Sequence, residues 1–561
     1  MMFASSTLSI ARPTRRMRVD LPLIAIVVIA FVVRIGWMVV LTGTIDTEGA
    51  EYVRIAQNVL AGRGYVGIVM PGTELMFPPL FPLLIAAGSL ITGAPELTAR
   101  MISVVMGALL AWPVFLIATR LHDRTAGLIA ASIAAVHPLL VGFSANAYVE
   151  PTDMTLVMTA ICIGIRVWER HQIRDALLLG CVLALAYLAR QEAFLLAALF
   201  ALLFAVAGPW FNGPGWQRSL AMLLAFVVVA GPYIGWLSAE TGQFRIEGKS
   251  PINYAVGIAR YKGLSEAEAK YAISEDLSGT GIAMRPQAIT IQNTQFRPVE
   301  AVHFVTRNAE RNIPPLIKYI AAGFSIGSPF LFAFAVLGFF GAPWRPGTAI
   351  GHVLLLLMLG VTALALMSLD FVSHRYFVTF VPALVIWSSI GLIRMAHWAA
   401  GTLQRKTLVD SQTSGAGRTA ILIGAAGLVV FSAAGIQDVN PLTDYDYRSR
   451  DVRVAGEWLR QIKSDSRVMD ATTMLPFHAF AAWVPFPYTN PELAIKYIDK
   501  QKVDFIVFRQ SAPAEVSYWQ KWFERGIPDP RAKLIYNTDG PRGRILIYEW
   551  SHADVIDRQR R

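Results

Sequence analysis

Three carboxylates follow the first apolar segment of the chain, at the point where a membrane helix must end. Asp46, Glu48 and Glu51 lie within a few residues of one another. A carboxylate at the edge of the hydrocarbon layer is costly unless it is solvated or has a function, so this cluster is a functional-site hypothesis. A carboxylate here can accept the proton of a hydroxyl group and act as a general base. The alternative is an acidic turn that stabilises the start of the following helix through its dipole.

A second acidic pair, Glu150 and Asp153, begins another apolar segment. Pro151 favours a helix N-terminus at this point, and acids are favourable in the first turn of a helix. Capping therefore accounts for the pair as well as a functional role does. In the functional role, one of the two approaches the first acidic loop and helps to hold an acceptor or a divalent cation.

Two arginines lie at the edges of other apolar segments. Arg190 shares a short turn with Glu192, and Arg375 lies between His374 and Tyr376 where the chain re-enters an apolar segment. A guanidinium can bind a phosphate through two parallel hydrogen bonds, which suits either arginine to a lipid phosphate. The alternatives are an internal ion pair between Arg190 and Glu192, and snorkelling of Arg375 to the membrane surface.

The stretch 44–82 must position the first carboxylates. Its apolar residues recur at helical spacing from Tyr52 to Leu60, and polar residues that include Arg54 fall on the opposite face. This pattern predicts a helix that lies flat on the membrane surface. The motif FPPLFP at 77–82 cannot lie inside a helix because its prolines remove backbone donors and fix φ. We expect this loop to hold a ligand at the membrane surface.

The composition is that of a polytopic membrane protein. The 561 residues are 54% hydrophobic and 16% charged, and the mean hydropathy is +0.47. Apolar stretches of about 20 residues are long enough to cross a bilayer, and we expect about eleven or twelve of them. They lie near 21–42, 83–94 (short, re-entrant), 99–119, 125–145, 153–168, 175–189, 193–209, 219–238, 315–340, 350–369, 376–394 and 419–436.

The distribution of basic residues orients these segments. With 83–94 treated as re-entrant, most arginines and lysines of the short loops collect on one side, which the positive-inside rule makes cytoplasmic. The acidic loops and the C-terminus then face outward. We predict a transmembrane unit at 1–437, with outward loops at about 43–98 and 239–314. An extracytoplasmic α/β domain at 438–561 follows from alternating helix and strand patterns.

Five motifs, taken together, resemble the GT-C superfamily of glycosyltransferases. They are EGAEYVRIAQNVLAGRGY, FPPLFPLLIA, HPLLVGFSANAYVEPTDM, YLARQEA and SHRYFVTFVPAL, and they occur in the family's order between Glu48 and Leu384. Within the superfamily the resemblance is to the branch of the dolichyl-phosphate-mannose protein mannosyltransferases and the aminoarabinose transferases. These are multi-span inverting enzymes that use polyprenyl-phosphate-linked sugars.

The resemblance implies transfer of a sugar to an acceptor on the outer face of the cytoplasmic (inner) membrane. A single displacement inverts the anomeric centre, so one base suffices. The family's loop carries an Asp-Glu pair before its tyrosine, whereas this sequence has Glu48 and Gly49 there and Asp46 two residues earlier, so either Asp46 or Glu48 is the base. The residues expected to bind substrate are Tyr52, Glu150, Asp153, Arg190, His374, Arg375 and Tyr376.

The expected partners are a polyprenyl-phosphate-sugar donor, membrane lipid, and a glycolipid, glycan or protein acceptor, with no nucleic acid. No cofactor is certain: superfamily members differ on metal dependence, and the sequence leaves a divalent cation open. The competing function is a transporter or flippase of a lipid-linked or anionic solute, which should carry charges near the middle of its spans. Apart from Arg34, the spans are nearly free of charge, and the polar residues cluster at the outer rim. A glycan polymerase or ligase and an inactive scaffold remain further alternatives.

Overall fold

A computed structural model provides the coordinates of the chain. It describes residues 20–40, 43, 45, 47–69, 72–211, 213, 215–261, 263–275, 282–283, 306–314, 329–368, 374–406, 424, 427, 450–540 and 543–552. The fold is a bundle of apolar helices followed by a small mixed sheet with its own helices. The predicted fold class is therefore confirmed.

The bundle is built from helices that are mostly apolar. They are α1 (Leu21–Val40), α2 (Thr47–Leu60), α3 (Leu80–Thr92), α4 (Pro95–Leu109), α5 (Ala111–Leu121), α6 (Arg124–Val136), α7 (Pro138–Ser144), α8 (Glu150–Arg170), α9 (Ile173–Ala189), α10 (Ala193–Phe211), α11 (Trp216–Thr241), α12 (Ser250–Tyr261), α13 (Glu266–Tyr271), α14 (306–314), α15 (Pro329–Phe340), α16 (Pro346–Ser368) and α17 (Val381–Lys406), with a 3-10 helix at His374–Phe380. In the described part of the chain, 5 helical stretches are long and apolar enough to cross a membrane, and the bent pair α6–α7 makes 6. The chain is an integral membrane protein.

The predicted spans coincide with helices wherever the structure describes them. Those near 99–119 and 219–238 fall within the long apolar stretches Pro95–Leu121 and Trp216–Thr241. The segment 83–94 corresponds to α3, a short apolar helix, and its re-entrant path stays a prediction. The span predicted at 419–436 falls almost wholly outside the described residues. The total of eleven or twelve therefore stays a prediction, as do the boundaries of the two predicted domains.

Helix α2 confirms the helix predicted in the acidic loop, but its polar face does not face water. Glu51 and Arg54 are only 4% and 5% exposed. The C-terminal domain covers this face, because Arg54 donates hydrogen bonds to the carbonyls of Phe477 and Ala481. The polar face of α2 is thus covered by protein, whereas the expected position of the helix flat on the membrane surface stays a prediction.

The C-terminal domain is a five-stranded sheet with helices packed around it. Its elements are α18 (Arg450–Ile462), β3 (Arg467–Met469), α19 (Met474–His478), β4 (Ala482–Val484), α20 (Pro491–Lys500), β5 (Phe505–Arg509), α21 (Trp519–Arg525), β6 (Ala532–Gly540) and β7 (Gly543–Trp550); β1 (Ser274–Glu275) and β2 (Ile282–Ala283) form a separate pair. The strand order is β4-β3-β5-β7-β6, parallel from β4 to β5 and antiparallel from β5 to β6.

The aromatic stretch 476–491 belongs largely to the core of this domain. Trp483 is buried, and its indole nitrogen donates to the carbonyl of Asp470 at 2.7 Å. Phe486 is also buried. These aromatic side chains are buried because they fill the core of the domain, and contact with an acceptor or a membrane is not required to explain them.

Arg34, the charged residue inside the first span, donates hydrogen bonds to carbonyls at the break between α6 and α7. α6 and α7 meet at 54° where Pro138 cannot donate a backbone hydrogen bond. The break frees carbonyls at the end of α6, and the fully buried Arg34 donates to the carbonyls of Ala134 and Ala135 at 3.1 and 2.7 Å. A buried carbonyl needs such a partner in a membrane. The arginine thus has a structural role.

We predict that Arg34→Met lowers the stability of the protein by about 1–3 kcal/mol, the cost of buried polar groups left without partners. Thermal unfolding in detergent measures this loss, and Arg34→Lys should recover part of it. Arg124→Met is the control, because Arg124 pairs with Asp20 at an exposed site and its loss should leave the midpoint nearly unchanged. Equal midpoints for the Arg34→Met and Arg124→Met variants would contradict this account.

Candidate active site

The first turn of α2 carries Glu48, one of the two candidate bases. The helix dipole favours a carboxylate in this turn. The next residue, Gly49, packs so closely on the turn after α7 that a Cβ atom would lie 2.9 Å from the carbonyl oxygen of Ala147. A glutamate at Gly49 does not fit this packing, which explains the departure from the family's acidic pair. Asp46, the other candidate, lies outside the described residues.

Tyr52 fixes the position of α2 against the proline-rich segment. Its ring makes edge contacts with Phe77 and Phe81, with centroids 5.1 and 5.2 Å apart. Tyr52 is 3% exposed. One turn separates Tyr52 from Glu48, so this aromatic contact also sets where the carboxylate lies.

A polar cavity of about 380 Å³ lies beside Glu48. Four residues predicted from the sequence line it together: Glu48, Tyr52, Arg190 and Tyr376. The other lining residues are Met76, Phe77, Pro78, Val149, Ala189, Gln191, Glu192 and Lys249. Two carboxylates, Glu48 and Glu192, and two cations, Arg190 and Lys249, therefore face one space.

A second, more apolar cavity of about 660 Å³ has three of the same residues in its wall, namely Arg190, Glu192 and Tyr376. Asp153 lines this second cavity, together with side chains of α8, α10 and α16. The apolar part of the wall consists of Met154, Val157, Met158, Ala193, Leu196, Met358, Val361, Ala365 and Leu366. The two cavities are thus neighbours that meet at a charged boundary.

Arg190 is the centre of that boundary. Its guanidinium contacts Glu150 at 3.2 Å and Glu192 at 3.0 Å. Burial alone would lower the pKa of Arg190, but Glu192, Glu150 and Asp153 raise it well above its usual range. The side chain of Glu192 is 42% exposed, and Arg190 holds the pKa of that carboxyl below its usual range. The ion pair predicted between Arg190 and Glu192 exists, and Arg190 also lines both cavities.

Glu150 lies behind this boundary. It is fully buried at the N-terminus of α8, and it lines neither cavity. Tyr376 contributes to both walls, whereas the side chains of the neighbouring His374 and Arg375 lie outside the described residues. The predicted roles of these two in binding substrate stay predictions.

The second cation of the polar cavity, Lys249, was not predicted. Its loop is held in place by Gly248, where a Cβ atom would lie 1.9 Å from the carbonyl oxygen of Leu75. The Tyr187 hydroxyl donates to the carbonyl of Ile246 in the same loop. No motif or spacing distinguishes Lys249 from the other residues of the long segment 239–314. Only the tertiary structure therefore identifies it as a residue of the cavity.

A pair of buried acids lies beneath the cavity wall. Glu51 on α2 accepts a hydrogen bond from the amide of Ile68 at 2.9 Å, and Glu74 accepts one from the amide of Met76 at 2.7 Å. The two carboxyl groups also hydrogen-bond to each other. Gly67 makes room for them, since a Cβ atom there would overlap a Glu51 oxygen. Burial raises the pKa of both acids, and a hydrogen bond between two carboxyl groups requires a proton on one of them.

Among the described residues, no three His, Cys, Asp or Glu side chains form a group that could hold a metal ion. Asp46 is not one of those residues.

Comparison with known proteins agrees with this geometry. Residues 77–236 match the family model described as dolichyl-phosphate-mannose-protein mannosyltransferase. ArnT from Cupriavidus metallidurans, bound to undecaprenyl phosphate, has the same fold, with a TM-score of 0.55 and 12% identity over 94% of this chain and 97% of that chain. Residues 77–236 therefore resemble this mannosyltransferase family, and the chain has the fold of ArnT.

A second solved structure has a similar fold. The archaeal oligosaccharyltransferase AglB from Archaeoglobus fulgidus, in complex with an inhibitory peptide and a dolichol-phosphate, has a TM-score of 0.51 and 13% identity. The match covers 95% of this chain and 74% of that chain. No curated protein matches the chain in sequence. The similarity to known proteins therefore consists of the family match over residues 77–236 and of the shared fold.

The acid pair predicts a pH dependence of stability. Because the folded state raises the pKa of Glu51 and Glu74 above the ordinary 4.5, their contribution is fully present at acidic pH and is lost as the pH rises through the folded-state values. The thermal midpoint of the wild type should therefore fall as the pH rises from about 5 to about 9. The double variant Glu51→Gln, Glu74→Gln should lose most of that slope. An unchanged slope in the double variant would contradict protonated carboxyls at this position.

Proposed function

We propose that this protein is an inverting GT-C glycosyltransferase that moves a sugar from a polyprenyl-phosphate-linked donor to an acceptor on the outer face of the cytoplasmic membrane. One observation carries the proposal. A polar cavity lined by Glu48, Arg190 and Lys249 adjoins an apolar cavity between membrane helices, and the two share Arg190, Glu192 and Tyr376. A lipid-linked sugar phosphate has this division into an apolar tail, an anionic link and a polar sugar.

The donor occupies both cavities in this proposal. Its isoprenoid chain lies among the methionine and leucine side chains of α8, α10 and α16. Its phosphate lies at the boundary, within reach of Arg190 and Lys249, and its sugar extends into the polar cavity toward Glu48. Cations at this position stabilise the negative charge that develops on the departing phosphate.

The reaction is a single displacement. Glu48 or Asp46 takes the proton of the acceptor hydroxyl while the hydroxyl oxygen attacks the anomeric carbon. The bond from that carbon to the phosphate oxygen breaks, and the polyprenyl phosphate leaves with the electron pair. The new glycosidic bond has the inverted configuration, because the attack comes from the face opposite the leaving group.

The related structures support this substrate class. ArnT is bound to undecaprenyl phosphate and AglB to a dolichol-phosphate, and both share the fold of this chain. The matched family model describes enzymes that use dolichyl-phosphate mannose. The basic residues of the short loops favour a cytoplasmic position for the opposite ends of the helices, which gives the active site and the C-terminal domain an outer, periplasmic location.

The base is tested by transfer from a panel of radiolabelled polyprenyl-phosphate sugars in membranes. Glu48→Gln should lower the turnover by about 100-fold or more if Glu48 is the base, since proton transfer contributes about 10²–10⁴-fold. Asp46→Asn should then have a small effect, and the reverse pattern assigns the base to Asp46.

Glu492→Gln is the matched control, because Glu492 is an exposed acid in the first turn of α20. If Glu48→Gln and Asp46→Asn both behave like this control, the carboxylates only stabilise a helix terminus. If the wild type transfers no sugar from any donor, the transporter hypothesis replaces the enzyme.

Lys249 is tested by the donor dependence of the same reaction. Lys249→Met should raise the KM for the donor by roughly tenfold to 100-fold, because a hydrogen bond to a charged group contributes about 1.5–3 kcal/mol. Lys249→Arg should restore most of the affinity. The control is Lys521→Met in α21 of the C-terminal domain, which lines neither cavity. An unchanged KM in Lys249→Met would remove this lysine from the phosphate site.

A further inference from the structure

We propose that the C-terminal domain fixes the position of the catalytic loop, the segment 43–69 that carries the candidate bases. Arg54 is the positioning residue through which the domain holds α2 in place. The inference rests on the proposed function. It assigns to the domain a role in turnover that is distinct from binding of donor.

Arg54 projects from α2 into the C-terminal domain. Its guanidinium donates to the carbonyls of Ala481 and Phe477, both at 3.1 Å, and it lies 4.6 Å from the centre of the Phe480 ring. Phe480 has a φ of 57°, a conformation that bulky residues rarely adopt. The turn at Phe480 thus presents both its ring and the adjacent carbonyl of Ala481 to the same arginine.

The remaining contacts hold the loop on both sides of the candidate bases. Before them, Arg453 of α18 donates to the carbonyl of Gly43 at 3.0 and 3.2 Å. Between them, the Thr473 hydroxyl donates to the carbonyl of Thr47 at 3.3 Å. These are contacts to backbone, so they fix the path of the chain independently of the loop's side chains.

A third connection fixes the far end of the loop. The amide of Trp483 donates to the carbonyl of Ile68 at 2.9 Å, and Val69 pairs with Trp483 as an isolated parallel bridge. Ile68 is the residue whose amide is held by Glu51. The C-terminal domain therefore contacts the catalytic loop before, within and after α2.

Among the residues that the structure describes, none of those that line the two cavities belongs to the C-terminal domain. Loss of the domain contacts should therefore leave the affinity for the donor largely intact. It should instead change the position of the carboxylate relative to the acceptor and the anomeric carbon. Small displacements of a catalytic group are enough to lower turnover strongly, by up to about 100-fold for roughly 1 Å.

The test compares Arg54→Met, Arg54→Lys and Arg531→Met in the full-length protein. Arg531 is the matched control, because its guanidinium also lies 4.6 Å from an aromatic ring, that of Trp550. Its ion pairs with Asp499 and Asp529 lie inside the domain. Two quantities are measured for each variant in nanodiscs: the kinetics of sugar transfer and the hydrogen exchange of the amides of 47–60.

Arg54→Met should lower kcat by about tenfold or more, with the donor KM within about twofold of the wild type, and should speed hydrogen exchange in α2. Arg54→Lys should give intermediate values, and Arg531→Met should match the wild type in both measurements. Faster exchange with an unchanged kcat would overturn the positioning role, and so would a rise in KM with kcat unchanged. Unchanged hydrogen exchange in Arg54→Met would show that the contact of Arg54 with the C-terminal domain does not hold α2 in place, which would overturn the proposal. If the wild type shows no transfer, the proposed function fails, whereas the exchange measurement still decides whether the domain holds the loop.

Discussion

The ion pairs of Arg190 are the interaction on which the site depends. A partly buried guanidinium at the rim of a membrane bundle is costly unless carboxylates compensate its charge. Glu150 supplies one from the start of α8, and Glu192 supplies another from the same turn as Arg190. Because both partners are fixed in the bundle, the charged boundary between the two cavities is fixed as well.

The acidic loop is held to this boundary mainly by contacts to its backbone. Gly49 lets α2 approach the turn after α7, and Tyr52 packs on the proline-rich segment. The buried acids Glu51 and Glu74 hold the amides of Ile68 and Met76. Each contact limits the freedom of the residues beside Glu48, and a base whose position is fixed before substrate binds loses less entropy on reaction.

Hydropathy and helical periodicity were sufficient to predict the apolar helices and the helix that carries Glu48, because both signals are local. The motifs also brought Glu48, Tyr52, Arg190 and Tyr376 forward as site residues, and one cavity contains all four. Lys249 was missed because only the close packing of Gly248 on Leu75 brings it to the cavity.

The docking of the C-terminal domain was equally inaccessible from sequence. Arg54 and its acceptors are separated by more than 400 residues. In a sequence, an arginine on the polar face of a helix normally indicates that this face is exposed to solvent. The short elements α19 and β4 were missed because they lie in an apolar, proline-rich stretch without a clear helix or strand period. Contacts between residues far apart in the sequence determine both the docking of the domain and the formation of these short elements.

The most direct test of the account is to map where the donor lipid binds. A polyprenyl phosphate with a photoreactive group near the phosphate would be cross-linked to the protein in nanodiscs, and the labelled peptides would be identified by mass spectrometry. The account predicts labelling around Met154–Met158 in α8 and Met358–Leu366 in α16, which excess unlabelled polyprenyl phosphate abolishes. Labelling confined to the lipid-facing surfaces of α1 and α11, unaffected by the competitor, would contradict a donor site at the boundary of the two cavities.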